Sequence, residues 1–114
     1  PEGAANWMAQ HFFTGGLMPS YDLLPSLTGH FRVERRWSVP GTHYHRTCMQ
    51  WLERCDRRRA SVMPVLRAAY GDEARVWLQR WRMFFLACGE LFQFRNGREW
   101  FVGHYRMVAA DGAE

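Results

Sequence analysis

The sequence predicts an α/β fold, and three of its features carry this prediction. Residues 31–39 and 100–108 alternate apolar and polar side chains, which is the period-two pattern of half-buried strands. The segments around them repeat apolar residues every three to four positions, as amphipathic helices do. The richest helical stripe carries many Trp and Phe side chains, and two strands alone would not cover it. We therefore predict part of a larger α/β domain.

The composition of the chain sets limits on its class. At 114 residues it holds at most one domain, and its hydrophobic fraction of 47% excludes a disordered protein. No apolar run in the sequence approaches the ~20 residues of a membrane span. The net charge of +4 comes from arginine, since lysine is absent. Isoleucine is absent too, which indicates a GC-rich coding sequence, so the basic charge is weak evidence for nucleic-acid binding.

The three cysteines are Cys48, Cys55 and Cys88, and all fall within helical patterns. They lack the paired spacing of metal knuckles or disulfide frameworks. A buried thiol behaves as a small apolar side chain, so we expect buried, reduced cysteines and a cytoplasmic location.

The first 40 residues are predicted to form short elements separated by turns. Residues 7–13 end a helix or form an aromatic loop, and the glycine pair of "TGG" at 14–16 then breaks the chain. Ser20 can cap a short helix over residues 21–24, which Pro25 disturbs. The strand over residues 31–39 ends at the following Pro-Gly pair.

Two long helical patterns separate the strands. Thr42 is predicted to cap the first, which ends near Gly71 and which Pro64 is expected to split. Asp72 is predicted to cap the second, which ends at "NG", residues 96–97. Periodicity alone favours a core role over a ligand-binding wall for the stripe of this second helix, which contains Ala74, Trp77, Leu78, Trp81, Phe84, Phe85, Cys88, Leu91 and Phe92.

Several kinds of active site are missing from the sequence. A nucleotide site needs a buried strand, a glycine turn and a helix, and neither glycine-containing turn has that context. We find no nucleophile motif and no close carboxylate pair of the kind that hydrolases use.

The segment "GTHYHRT", residues 41–47, concentrates polar chemistry at the start of a predicted helix. His43, His45 and Arg46 lie at the positive end of the helix dipole, where cations are disfavoured by ~0.3–1 kcal/mol each. An anion such as a carboxylate or bicarbonate bound there would make the interaction with the helix dipole favourable. The simpler alternative is that both histidines are neutral surface residues and Tyr44 packs under the strand end. A metal site from His43, His45 and Cys48 has no recognised spacing.

Four segments taken together resemble a known family. They are "HFFTGGLMPS" (11–20), "GTHYHRTCMQWLERCD" (41–56), "RWRMFFLACGELF" (80–92) and "NGREWFVGHYRM" (96–107). In this order and at this spacing they resemble the cyclopropane-fatty-acyl-phospholipid synthase superfamily of S-adenosylmethionine-dependent methyltransferases. Thr14 and the segment "NGREWFVGHY" are most similar to the branch that holds the plant coclaurine-type N-methyltransferases and their bacterial relatives.

This resemblance implies a fold, and it implies which part of the enzyme this chain supplies. The family has a Rossmann-like seven-stranded sheet, and residues 1–114 resemble the C-terminal, substrate-pocket portion of its single methyltransferase domain. The two strands would be the last two of the sheet, antiparallel, accompanied by three to four helices. In the family the glycine-rich cofactor loop, the ribose-binding acidic residue and the catalytic Glu–His pair lie upstream. The resemblance therefore implies no cofactor-binding residue and no metal ligand in this chain.

The same resemblance implies roles for individual residues on the substrate side. Tyr44 matches the tyrosine that holds bicarbonate or faces the reacting centre in the cyclopropane synthases, with His43 in the polar collar around it. Phe13, Gly15 and Gly16 match the loop that covers the acyl pocket. The positions that match the lining of that pocket are Cys48, Phe84, Cys88 and Phe92.

The implied function is methyl transfer from S-adenosylmethionine, with bicarbonate as a further candidate cofactor. The acceptor is either an unsaturated fatty-acyl lipid, with peripheral membrane contact, or a small-molecule amine. The fragment alone is expected to be inactive and to bind no nucleic acid. The alternative is a free-standing, basic, aromatic-rich module that binds RNA or protein through residues 57–59 and exposed Trp side chains.

Overall fold

The computed structural model describes residues 4–27 and 29–111, with side chains from residue 7 onward. Two strands and five α-helices follow one another within these ranges, and 3₁₀ turns cover residues 71–73 and 94–97. This confirms the predicted α/β class. The elements in chain order are α1 (Ala4–His11), α2 (Leu23–Ser26), β1 (Phe31–Pro40), α3 (Gly41–Arg57), α4 (Arg59–Tyr70), α5 (Ala74–Gln93) and β2 (Phe101–Ala109).

The chain divides into two compact units. The first unit contains residues 1–37 and 103–114, and the second contains residues 38–102. The single-domain organisation expected from the chain length stays a prediction. No helix in the described part of the chain is long and apolar enough to cross a bilayer.

β1 and β2 form a two-stranded antiparallel sheet. The amide N–H of Ala110 donates to the carbonyl of His30 at 3.0 Å, and Arg106 forms an ion pair with Glu34 at 2.7 Å. Rising numbers on one strand thus pair with falling numbers on the other, as antiparallel order requires. Both strands lie within one residue of their predicted bounds. The exposed side chains of Phe31 and Trp37 show that only part of the predicted apolar face is covered.

In the first unit, the segment before β1 is attached to the sheet by polar contacts. The hydroxyl of Tyr105 donates to the carbonyl of Tyr21 at 2.7 Å, and Arg36 forms an ion pair with Asp22 at 2.6 Å. The Arg36 guanidinium also lies 4.5 Å from the centroid of the Tyr21 ring. The predicted helix cap at Ser20 is wrong, because α2 begins after Asp22, without a side-chain cap.

α3 and α4 replace the long helix that the sequence predicts. α3 begins at Gly41, preceded by Pro40, so Thr42 lies inside the helix and does not cap it. The break between the two helices falls at Arg58 and not at Pro64. The Arg58 carbonyl accepts N–H groups from residues 61 and 62, which starts a new helix there. Pro64 lies within α4, where its missing N–H removes one helix hydrogen bond.

α5 carries the predicted apolar stripe and packs against α3 and α4. Asp72 lies in the preceding 3₁₀ turn and is not its cap. α5 ends at residue 93, three residues before the predicted stop, and positive φ angles at residues 95–97 turn the chain toward β2. The main core cluster joins α4 to α5 and consists of Met63, Leu66, Ala74 and Leu78.

Candidate functional site

The first turn of α3 is covered by the backbone of its own unit. A Cβ atom at Gly41 would collide with the carbonyl oxygens of Phe92 and Trp100. One at Gly97 would lie 2.5 Å from the amide nitrogen of Thr42 and 2.8 Å from that of Gly41. Glycine is therefore required at both positions. The helix N-terminus faces the 94–97 turn at close range, which limits the space for the anion that the sequence suggested there.

Tyr44 is the residue of "GTHYHRT" that packs into an aromatic cluster. Its half-buried ring meets the edge of Phe92 at a centroid distance of 4.5 Å and that of Trp51 at 6.1 Å. Burial raises the pKa of the phenol above its ordinary value, and the nearby thiols of Cys48 and Cys88 raise it further. Tyr44 therefore presents a neutral hydroxyl at physiological pH, able to donate or accept a hydrogen bond.

Cys48 and Cys88 lie beside Tyr44 and face each other across α3 and α5. Cys48 is fully buried and Cys88 is 5% exposed. Burial, with a smaller effect of Cys48, raises the pKa of Cys88 to about 11, and burial raises the pKa of Cys48 as well. Both side chains are thus protonated, apolar thiols and not nucleophiles at neutral pH.

The two histidines of "GTHYHRT" lie in different environments. His43 is exposed, whereas His45 is partly buried with its Nδ1 atom 2.9 Å from the carbonyl oxygen of Gly89. Because a carbonyl only accepts, Nδ1 carries a proton and donates it in this contact. Sequence reasoning did not single out His45 or Gly89 as a pair. A glycine within an otherwise bulky stripe was the available signal of close helix packing.

Phe84 belongs to a row of aromatic rings that continues from Tyr44. Trp51 lies 5.9 Å from Phe85, which in turn lies 6.0 Å from both Trp81 and Phe84. The structure thus gathers five of the predicted substrate-side residues, Tyr44, Cys48, Phe84, Cys88 and Phe92, along the α3–α5 interface. Their assignment to a substrate pocket stays a prediction.

The predicted loop residues Phe13, Gly15 and Gly16 lie in the first unit. Phe13 is 51% exposed, and Gly15 and Gly16 form the turn after it, with Gly15 at a φ of +70°. Nothing lies within 4 Å of a Cβ atom built on Gly15, so its requirement for glycine is conformational. The covering role implied for this loop also stays a prediction.

An open apolar groove of about 380 Å³ lies between α3, α4 and α5. Sequence reasoning missed it, because three separate helices build it. Within the described residues no group of three or more His, Cys, Asp or Glu side chains could hold a metal ion. We name this cavity the α3–α5 groove; its lining consists of Trp51, Arg54, Cys55, Arg58, Val62, Leu66, Leu78, Trp81 and Phe85.

Comparison with known proteins identifies what the chain is similar to. No family model matches the sequence. The chain is 28% identical over 108 residues to (S)-coclaurine N-methyltransferase of Papaver somniferum, which covers 91% of this chain and 31% of that protein. It is 30% identical over 104 residues to the (S)-coclaurine N-methyltransferase of Thalictrum flavum subsp. glaucum, covering 87% of this chain and 29% of that protein. A pavine N-methyltransferase of the same plant is 27% identical over 101 residues.

The folded chain is also similar to a solved structure. It matches the crystal structure of coclaurine N-methyltransferase bound to N-methylheliamine and SAH, with a TM-score of 0.71 and 28% identity. The match covers 82% of this chain and 28% of that one. The chain thus spans about 30% of the length of the relatives it matches. The predicted resemblance to methyltransferases is confirmed, and the sequence relatives described above are named as N-methyltransferases.

Proposed function

We propose that this chain forms the methyl-acceptor side of an S-adenosylmethionine-dependent N-methyltransferase that acts on a small-molecule amine. The observation that carries the proposal is the match to the coclaurine N-methyltransferase structure, since that protein holds a methylated amine and SAH. The relatives found by sequence carry the same type of name. Amine methylation is therefore better supported than the lipid alternative, and nothing found supports bicarbonate or membrane contact.

The described residues do not themselves fit the cofactor. The turn between β1 and α3 is the only strand–glycine–helix junction in the described ranges, and the carbonyls of Phe92 and Trp100 fill the space beside Gly41. We place the cofactor site in an upstream half, on the same or a separate chain. When bound there, S-adenosylmethionine supplies an electrophilic methyl group on a sulfonium.

The residues of this chain would shape the acceptor site and exclude water from it. An amine attacks through its lone pair, so it must lose its proton, and an apolar wall disfavours the ammonium form. Phe92 and Trp51 supply such a wall around the Tyr44 ring. The phenol stays neutral because burial raises its pKa, so it can orient the amine by a hydrogen bond without carrying charge.

The proposal is tested by methyl-transfer assays on the natively expressed protein with labelled S-adenosylmethionine. Coclaurine and heliamine are the test amines, and vesicles of unsaturated phospholipid are the competing acceptor. We expect label on the amine nitrogen and none on the lipid. Transfer to the lipid alkene, or no transfer to any amine, would overturn the proposal.

The interaction-module alternative has less support. Of the arginines at residues 57–59, Arg57 forms an ion pair with Glu53 on its own helix. The relatives described above are named as N-methyltransferases. Salt-dependent oligonucleotide binding by the native protein, without methyl transfer, would restore that alternative.

A further inference from the structure

His45 links the first part of α3 to the last part of α5 by a directional contact. Its Nδ1 atom lies 2.9 Å from the carbonyl oxygen of Gly89, and the partly buried imidazole donates to that oxygen. A carbonyl oxygen has two lone pairs, so it can accept the hydrogen bond of its own helix and the one from the imidazole together. The contact can therefore join the two helices while α5 keeps its backbone hydrogen bonds.

The missing side chain of Gly89 makes this contact possible. A Cβ atom there would lie 2.6 Å from the terminal carbon of Met49 and 3.3 Å from the Nδ1 atom of His45. It would also lie 3.6 Å from the Cβ atom of Cys48, so three side chains of α3 surround this position. The imidazole thus reaches the backbone of α5 directly. Because a hydrogen bond weakens steeply away from its preferred geometry, this bond favours one register of the two helices.

The same part of the interface holds the Tyr44 ring. Tyr44 directly precedes His45 in α3, and Phe92 follows Gly89 by three residues in α5, about one helical turn. The rings of Tyr44 and Phe92 meet edge to face at a centroid distance of 4.5 Å. Apolar attraction is non-directional, so this contact keeps the ring in the cluster without fixing the position of its hydroxyl. The bond from His45 supplies a directional restraint one turn away.

Another polar link between α3 and α5 lies near the opposite end of α3. Arg82 donates two hydrogen bonds to the carboxylate of Asp56, and this pair is largely open to solvent. Twelve helical residues separate Asp56 from Tyr44, which is roughly 18 Å at 1.5 Å per residue. This second link joins the same helices but is too distant to set the local position of the Tyr44 ring.

We propose that His45 is a positioning residue, which holds the hydroxyl of Tyr44 in place through its bond to Gly89. The catalytic value of this restraint rests on the proposed function, in which that hydroxyl orients the acceptor amine. A misplacement on the order of 1 Å can lower a reaction rate by about a hundredfold where orientation is part of catalysis. The aromatic wall that binds the amine does not include His45. Loss of the imidazole should therefore lower kcat and leave KM nearly unchanged.

The kinetic test measures methyl transfer to an amine by the natively expressed protein. His45→Leu removes the donor and should lower kcat about fivefold, with KM within about twofold. His45→Asn keeps an N–H donor bonded to Cγ, where Nδ1 is bonded, and should retain kcat within about twofold. Asp56→Asn is the matched control, because it weakens the distant link between the same helices, and it should leave kcat unchanged. If His45→Leu does not fold, His45→Gln replaces it, since this change moves the donor one carbon farther out.

A double substitution separates positioning from general packing. In a protein that already carries Tyr44→Phe, His45→Leu should lower kcat by less than about twofold, because both changes act through one hydroxyl. An equal further loss on top of Tyr44→Phe would overturn the proposal, since His45 would then support the fold independently of Tyr44.

A spectroscopic measurement follows Tyr44 without any methyl transfer. Fluorine NMR of protein labelled with 3-fluorotyrosine reports each tyrosine ring, and the Tyr44→Phe variant identifies the Tyr44 signal. We expect this signal to shift and broaden in His45→Leu and to stay close to that of the unsubstituted protein in His45→Asn and Asp56→Asn. An unchanged signal in His45→Leu would overturn the proposal. If the unsubstituted protein methylates no amine but the fluorine signals change as expected, the proposed function fails and the positioning of Tyr44 by His45 is upheld.

Discussion

The two halves of α3 pack in opposite ways, although one amphipathic pattern runs through both. In the first half, Gly41 has no space for a methyl group and Cys48 is fully buried. In the second half, Trp51 is 44% exposed and borders the α3–α5 groove. Hydrophobic period alone thus fixes which side of a helix faces its neighbour, but not how closely the two approach.

Side-chain size explains the difference between the first half of α3, residues 41–48, which we call the tight half, and residues 51–57, which we call the open half. Beside the first half of α3 the facing residues include the small Cys48 and Gly89, and a Cβ atom on Gly89 would lie 2.6 Å from the end of Met49 and 3.6 Å from the Cβ of Cys48. Beside the second half the facing residues include Trp51 and Phe85, whose ring centroids lie 5.9 Å apart. Small residues permit tight packing, and large rings of fixed shape leave a groove.

The largest expected effect comes from the tight half. Gly41→Ala should lower the free energy of unfolding by about 3 kcal/mol, because the new methyl group meets two backbone carbonyls that cannot rotate away. Urea denaturation followed by circular dichroism measures the loss. Gly15→Ala is the control, since it lies at the third position of the turn closed by the Gly16 N–H and the Phe13 carbonyl, where a φ of +70° costs about 1 kcal/mol, and nothing lies within 4 Å of the added atom. Equal losses would show that the first turn of α3 is not closely packed.

The buried thiols of Cys48, in the tight half, and of Cys88, in α5, predict a loss of stability in alkali. The folded-state pKa of Cys88 is about 11, above the ordinary value of 9.0, so its contribution is complete below pH 9. It is lost as the pH rises through 11, which corresponds to about 2–3 kcal/mol for two pKa units. Urea denaturation between pH 8 and 11 measures it. The Cys88→Ala variant should lack this part of the pH dependence, and an unchanged profile would contradict the burial of the thiol.

Tyr44 lies within the tight half, and substitution of its hydroxyl tests a functional role separately from a packing role. Tyr44→Phe keeps the ring contacts with Phe92 and Trp51, so we expect kcat to fall about tenfold and the free energy of unfolding to change by less than about 1 kcal/mol. Amine methylation and urea denaturation of the same samples measure both. Tyr70→Phe is the control, because its ring stacks on Trp77 outside the cluster. A loss of stability that matches the loss of activity would make Tyr44 a packing residue.

The smallest effect is expected at the exposed rim of the open half. Asp56→Asn removes the two-bond contact with Arg82 that joins α3 to α5, and should cost about 0.5 kcal/mol, less at high salt. Arg82 lowers the pKa of Asp56, so this contribution is present above pH 4 and is lost as the pH falls through the lowered pKa. Glu53→Gln, which breaks the pair with Arg57 inside α3, should cost less. A larger cost for Glu53→Gln would contradict a role for Asp56 in joining the helices.

The sequence by itself determined the fold class, both strands and the apolar stripe of α5. These features depend on local periodicity, and residues 31–39, 100–108 and the stripe from Ala74 to Phe92 carry it plainly. The four family-like segments also indicated methyltransferases, which the relatives and the matched structure confirm. The helix caps at Ser20, Thr42 and Asp72 were wrong, because several residues near each helix start can serve as a cap and tertiary packing selects among them.

Only the tertiary structure determines which residues of other elements these side chains contact. The pairing of His45 with Gly89, the position of Gly41 against two carbonyls and the α3–α5 groove each join residues more than ten positions apart. No local pattern encodes the distance between two helices, because it depends on the sizes of side chains contributed by both. The histidines of "GTHYHRT" show this most plainly, since residues two positions apart lie at different depths: His43 is exposed, and His45 is held against α5.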